Sequence, residues 1–348
     1  MKVGNLDLTN KLIMAPLAEV TYAPFRKIVT EFGAGLKYTQ MVSAEGILKN
    51  NFQTLKFLVY SRDEKPIGVQ ILGKDPDIIA GAVSELKKIQ PDVIDLNCGC
   101  SVHKVLKHKM GAAILDDTPL LGRIVKSMKK SSGEIPISVK MRLGSTKTNS
   151  SIIDNAKACE ENGASFIVVH CRYRSNSYND DSDWEMLKKV KDSVSIPVVG
   201  NGSIFTPEDA INMREQTGVD SVMVARGALG NPFIFSRYNS IMEKGIDPGE
   251  PGLEEKLNIA IRHLNMLVSD SGERSGIIKA KKHLFWYFRL EDGIYQLVEK
   301  VKKLKEVDDI IGCLHEHVDN IAANKFEKLN IDEINKSFNE RVMFWQID

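Results

Sequence analysis

The stretch "FIVVHCR" (Phe166–Arg172) is a short apolar run that ends on a histidine, a cysteine and an arginine. It is too short for a buried helix and rich in β-branched residues, so it reads as a strand covered on both faces, with polar chemistry at its carboxyl end. The same pattern recurs along the chain in "KLIMAPLA" (Lys11–Ala18), "LKYTQMVSA" (Leu36–Ala44), "PIGVQILG" (Pro66–Gly73), "VIDLNCG" (Val93–Gly99), "ISVKMRLG" (Ile137–Gly144), "IPVVGNGSI" (Ile196–Ile204) and "SVMVARGA" (Ser221–Ala228). Between the runs lie segments with helical spacing, such as "DPDIIAGAVSELKKI" and "TPEDAINMREQTGVD". They open on Asp or Thr, side chains that cap a helix, followed by Pro at the first helical position.

Eight strand–helix units in roughly 230 residues have the size of a (β/α)8 TIM barrel. An open doubly wound sheet is the alternative. The near-continuous apolar strand bodies, and the lack of a glycine-rich fingerprint after the first of them, favour closure. One polar or special residue falls near the carboxyl end of each strand: Pro16, Met41, Gln70, Asn97, Lys140, His170, Asn201 and Arg226. In a barrel those ends converge on one mouth, where active sites sit. Beyond residue 236 the strand runs stop and only helical spacing remains. We assign residues 1–243 to the barrel and 253–348 to a helical second domain, joined by the Gly- and Pro-rich "KGIDPGEPG" (Lys244–Gly252).

The 348 residues carry 47 Lys and Arg against 46 Asp and Glu, a net charge of +1, so any site for a polyanion must be local. "MKVGNLDLTN" is unlike an export signal, and no apolar run approaches the roughly 18 residues of a membrane span. The five cysteines (Cys98, Cys100, Cys159, Cys171, Cys313) are odd in number and scattered, so reduced thiols and a cytoplasmic setting are expected. From Arg274 to Lys305 nine basic residues stand against three acids, Glu291, Asp292 and Glu299, interleaved with Phe285, Trp286, Tyr287 and Phe288. The charge points to RNA, whereas the aromatics read as a core stripe.

"GNGS" (Gly200–Ser203) and "ARGALGNP" (Ala225–Pro232) follow the seventh and eighth strands, where barrels often hold a phosphate. Small residues admit the anion to the backbone, and Arg226 adds charge. Lys140, inside "ISVKM", needs an anionic or strongly polar partner, which a bound cofactor carrying negative charge would supply. His170 is either a core histidine or a second contact to that ligand. In "DLNCGCSVHKV" (Asp95–Val105) the two thiols are one residue apart, poor spacing for zinc, and no second Cys/His pair matches; no metal is expected, and His315 and His317 are expected to be solvated. Gly99 suggests that the strand turns there, placing Cys100 at the head of a loop. An unperturbed thiol is about 97% protonated at neutral pH, which suits proton donation; a cation beside it, as His103 or Lys104 would be, favours attack instead.

"DLNCGCSVHKV" resembles the D-[IL]-N-x-G-C-P-x-x-K-V signature of the dihydrouridine synthases. So do, in order, "MAPLAEVTYAPFR", "QMVSA", "GVQILG", "VKMRLG", "VVHCR", "NGSI" and "VMVARGALGNPFIF", with "KKHLFWYF" in the tail. The resemblance implies an FMN barrel that reduces the C5–C6 double bond of uridine in tRNA, with NADPH as reductant. It implies hydride delivery from flavin N5 to C6 and a proton from Cys100 to C5. Flavin contacts then fall on Pro16, Gln70, Lys140, His170, Asn201, Gly202, Ala225, Arg226 and Gly227, and uracil contacts on Asn97, Arg142 and Tyr178. Lys140 would face the negative charge of reduced flavin near N1. Cys98 would be a packed bystander. The chain departs from the family pattern at Glu19 (usually Gly), Tyr22 (Asp), Gln40 (Glu), Cys98 (more often Met) and Ser101 (Pro). Two alternatives stand beside this reading: the same chemistry on ribosomal RNA or a free pyrimidine, and an RNA-binding homologue with impaired catalysis.

Overall fold

The computed structural model describes residues 1–177, 180–332 and 334. Its central element is a barrel of eight parallel strands: β1 (Ile13–Met14), β2 (Lys37–Tyr38, resumed at Val42–Ser43), β3 (Ile67–Leu72), β4 (Val93–Cys98), β5 (Ile137–Arg142), β6 (Phe166–His170), β7 (Val198–Asn201) and β8 (Ser221–Val224). Each lies inside one of the apolar runs. The strands pair in chain order from β2 to β8, and β8 pairs with β1. A bridge between Ile13 and Leu36 brings β1 back beside β2, so the sheet closes. The barrel reading holds and the open sheet is excluded.

The helices between strands begin as their capping residues dictate. Asp75 accepts hydrogen bonds from the amides of Asp77 and Ile78, with Pro76 in the first turn of Pro76–Leu86. Thr206 and Asp209 form a reciprocal capping box at the start of Pro207–Thr217. At the amino-terminal end of the barrel, Ile13, Leu36, Tyr38, Val93 and Phe166 meet Val3 and Leu8 in one buried cluster, so the N-terminal segment plugs the bottom and leaves the chemistry to the top.

The loop after β2 is held by a buried ion pair. Arg26 Nε donates to Glu64 Oε2 at 2.7 Å, and its other nitrogens donate to the carbonyls of Thr21 and Val59. Nearby Lys37 is fully buried; burial brings its ammonium down to about 8, against the pull of Glu64 and Asp92. Glu64 therefore compensates two buried cations. Replacing Glu64 with alanine is expected to destabilise the protein by about 3–5 kcal/mol in equilibrium urea unfolding, because the cations lose their counter-charge. A change below about 1 kcal/mol would show that the pair contributes nothing net.

By packing, the chain divides into two compact units, the first comprising Met1–Asn176, Asp180–Gly227 and Ile234–Asp247. The second takes in Ala228–Phe233 and the described residues from Pro248 onward. Its helices are Leu253–Ser271, Glu273–Tyr287, Ile294–Lys303 and Val307–Ala322. Phe285, Trp286, Tyr287 and Phe288 are all buried, as a core stripe requires.

The expectation of two solvated histidines is half wrong. His315 is exposed, but His317 is buried, its ring 5.7 Å from that of Phe288 and 5.3 Å from that of Phe326. The Val307–Ala322 helix buries the stripe Ile310, Cys313, Leu314, His317 and Val318, and helical spacing puts position 317 on it and 315 off it. The basic cluster also splits: Arg289 is buried and donates to the carbonyl of Leu229 at 2.7 Å, while Arg274, Lys300, Lys302, Lys303 and Lys305 are exposed. Among the described residues no helix is long and apolar enough to cross a membrane.

Candidate active site

Strand register decides which side chains meet at the barrel top. Gln70 on β3 stands beside Asp95 on β4, and Asp95 beside Ser138 on β5. One pleat further up, Asn97 pairs with Lys140; further round, Arg142 pairs with His170 and His170 with Asn201. Side chains two apart share a face, so Asp95 and Asn97, and Ser138, Lys140 and Arg142, line the same side of the sheet.

These residues form two hydrogen-bonded groups. In the first, Asp95 accepts from Ser138 Oγ at 2.6 Å and from Gln70 Nε2 at 2.7 Å. Gln70 Oε1 in turn accepts from Asn97 Nδ2 at 2.8 Å. Asn97 Oδ1 accepts from the backbone amides of Gly99 at 3.1 Å and Cys100 at 2.9 Å. In the second group, Lys140 Nζ donates to Asn201 Oδ1 at 3.2 Å, and Asn201 Nδ2 to the carbonyl of Met223 at 2.8 Å.

Strand β4 ends at Cys98, immediately before Gly99. Cys98 is wholly buried, and burial pushes its thiol well above the usual range. Cys100 is half-buried at the head of the loop. Arg142 Nε donates to the Gly99 carbonyl at 2.9 Å, and the Ala112 amide to the Cys100 carbonyl at 2.9 Å. The loop that carries Ser101 where the family has proline is thus tied on both sides of Cys100.

The electrostatics are those of an anion site. Burial first, and then the charges of Arg142, Lys140, Arg172 and Arg226, hold the His170 imidazole well below its ordinary value, so it is neutral at physiological pH. Burial brings Lys140 down to about 8, although Asp95 pulls the other way. Asp95 is the carboxylate placed against these cations, and burial raises it to about 6.

The loops after β7 and β8 meet backbone to backbone. A Cβ on Gly227 would lie 2.1 Å from the carbonyl oxygen of Ile204, and one on Gly202, whose φ is +135°, 2.8 Å from Ser182 Oγ. Only glycine fits either place. Arg226 lies over the Phe205 ring at 5.4 Å, while Ala225 and Pro16 are half-buried at the same end of the barrel. The donor set therefore suits a flat cofactor with an anionic end: a cluster of cations at one barrel mouth, a neutral imidazole, and two loops that approach each other at glycines. Tyr178 lies outside the described residues.

Sequence reasoning passes over three contributors. Asp95 opens the quoted motif, and its period-two spacing from Asn97 is the signal that places it on the same face. Ser138, two before Lys140, carries the same signal. Arg172 is buried; it donates to Ser203 Oγ at 2.9 Å and to the Asp180 carbonyl, and only its position just after the strand hints at this. Three departures from the family pattern also touch one another: the Glu19 amide donates to Gln40 Oε1 at 2.8 Å, and the Tyr22 hydroxyl donates to the Glu19 carboxylate.

Residues 13–328 match the family model described as "Dihydrouridine synthase (Dus)". The chain belongs to the dihydrouridine synthase family. It is 34% identical over 288 residues to a "Probable tRNA-dihydrouridine synthase" of Rickettsia bellii, covering 82% of this chain and 88% of that one. It is 32% identical over 308 residues to the "tRNA-dihydrouridine synthase B" of Pseudomonas aeruginosa, covering 88% and 92%. Among solved structures, histamine dehydrogenase from Rhizobium sp. 4-9 superposes with a TM-score of 0.54 at 14% identity, over 81% of this chain and 50% of that longer one. A variant of NCR from Zymomonas mobilis gives 0.51 at 15% identity, over 74% and 93%. At such identities the structural likeness speaks for the barrel fold, while the sequence matches speak for the dihydrouridine synthase family.

Proposed function

We propose that this dihydrouridine synthase reduces the C5–C6 double bond of uridine in tRNA, with FMN as its flavin and NADPH as reductant. The observation that carries the reading is Cys100: a half-buried thiol on a pinned loop, at the same barrel mouth as a cation-rich, glycine-lined cradle. The relatives' names point to tRNA.

Lys140, Asn201, Gln70 and the neutral His170 would hold the flavin ring, while Arg226 and the loops at Gly202 and Gly227 would hold its phosphate. Pro16 and Ala225 would pack beside them. Bound FMN, in its reduced form, would supply the hydride for uracil C6. Cys100 then gives its Sγ proton to C5, so the base gains two hydrogens and the thiol is left as thiolate, to be reprotonated from solvent. Asn97, Arg142 and Tyr178 are the proposed neighbours of the uracil. The exposed Arg274, Lys303 and Lys305, beside Lys300 and Lys302, which pair with Glu316 and Glu299, would give the helical unit a positive surface for the RNA backbone.

The test is a count of dihydrouridine by mass spectrometry in tRNA and ribosomal RNA fractions, incubated with the purified protein, FMN and NADPH. Dihydrouridine is expected to accumulate in tRNA only. Unchanged tRNA would overturn the reading, and product in ribosomal RNA alone would move the substrate.

A further inference from the structure

We propose that Asp95 is a positioning residue that anchors the head of the hydrogen-bond chain through Gln70 and Asn97, and so holds the Cys100 loop in place. This rests on the reading of Cys100 as the proton donor, and it adds a residue that touches neither flavin nor base.

Both ends of the chain have fixed polarity. At one end the Asp95 carboxylate, only 1% exposed, accepts and cannot donate, so Gln70 must turn its Nε2 toward it. At the other end the amides of Gly99 and Cys100 donate and cannot accept, so Asn97 must turn its Oδ1 toward them. The middle link then has one solution, Asn97 Nδ2 to Gln70 Oε1, and that bond is present at 2.8 Å. Without Asp95 the Gly99 and Cys100 amides would still orient Asn97, but the Nε2 end of Gln70 would have no acceptor and would be free to shift. An ionised carboxylate at the head removes that freedom, and Ser138 Oγ at 2.6 Å fixes the head itself. Lys140 lies close enough to favour the ionised form, so Asp95, raised to about 6 by burial, is an acceptor at neutral pH.

The chain also ties three roles together. Gln70 is a proposed flavin contact, Asn97 a proposed uracil contact, and Cys100 the donor. With Asp95 at the root, the placement of Gln70, Asn97 and Cys100 relative to one another is set by one strand-to-strand hydrogen-bond path rather than by a loop alone. A misplacement of about 1 Å in such a site can lower a rate about 10²-fold.

The experiment measures, on the flavin-free full-length protein, deuterium uptake at the Gly99 and Cys100 amides and the rate of Cys100 alkylation by iodoacetamide. In D95L the chain has no head, and exchange at both amides is expected to rise at least about tenfold, with faster alkylation. The double variant D95N/Q70E exchanges donor and acceptor in the first link and leaves the second as it is: the amide introduced at position 95 donates to the carboxylate introduced at position 70, which still accepts from Asn97. It is expected to return both readouts to within about twofold of wild type, which a purely space-filling role for Asp95 would not produce. If D95L does not fold, Q70M, which removes the middle link and leaves the carboxylate, carries the same expectation of faster exchange. Wild-type protection in D95L, or a double variant as loose as D95L, overturns the proposal. Should Cys100→Ala instead keep its turnover, the donor assignment falls while the exchange result stands.

Discussion

Cys100→Ala is expected to lower the rate of dihydrouridine formation about 10²–10⁴-fold, the contribution of a correctly placed general acid. Flavin content, read from the absorbance of the purified protein, should be unchanged, because none of the proposed flavin contacts is altered. Cys98→Ala is the paired control, two positions earlier in the same motif. Its thiol is wholly buried at the end of β4 and faces no reacting group, so the substitution removes packing and not chemistry. Its cost should appear as about 1 kcal/mol of stability with turnover largely retained. The reverse result, an active C100A beside an inactive C98A, would mean that the wrong thiol has been assigned.

The second large effect is electrostatic and centres on Lys140. In the flavin-free protein burial holds its ammonium down at about 8, instead of its ordinary 10.5. An anionic ligand restores a partner and raises it again, so binding above pH 8 must draw a proton from solution. The sign follows: flavin affinity is flat below about pH 8 and weakens by up to tenfold per pH unit above it. K140M removes the charge and keeps most of the length. It should weaken binding about 10–100-fold at pH 7, the range for losing a hydrogen bond to a charged group, and abolish the alkaline slope. Titration of flavin fluorescence against protein from pH 7 to 9.5 reads both effects. A K140M protein with wild-type affinity and wild-type slope would assign the alkaline change to another group. In the flavin-free protein the linkage has the opposite consequence: the buried ammonium costs stability below pH 8, and that cost fades as pH rises toward 10.5.

Much of the barrel is legible in the sequence alone. The eight strands lie within the eight apolar runs because a strand covered on both faces is mostly apolar, and polar residues gather where it opens on the mouth; Lys37, Asp95 and Ser138, which sit further down, are each buried. What the sequence could not supply was lateral register. Asp95, Gln70 and Ser138 are 25 and 43 residues apart in pairs, and only the alignment of three neighbouring strands makes them one hydrogen-bonded group. The same holds for Glu19, Tyr22 and Gln40, which look like separate departures from a pattern and prove to be in contact. His317 reads as solvated beside Glu316 and His315, although its helical phase places it among the buried Ile310, Cys313, Leu314 and Val318.

The ties on either side of Cys100 have a consequence for the nucleic acid. The loop that carries the Cys100 thiol is anchored through Asn97, Arg142 and Ala112, the bonding of an anvil rather than of a moving arm. On the proposed role of Cys100 the travelling falls to the RNA, whose target nucleotide would have to leave its stack and present its C5 edge to a fixed point. Unstacking costs a few kcal/mol for a paired base and least for one already unpaired. Such an enzyme therefore selects among uridines partly by how little each resists being turned outward, a preference written into the folding of the RNA as much as into the residues of the protein.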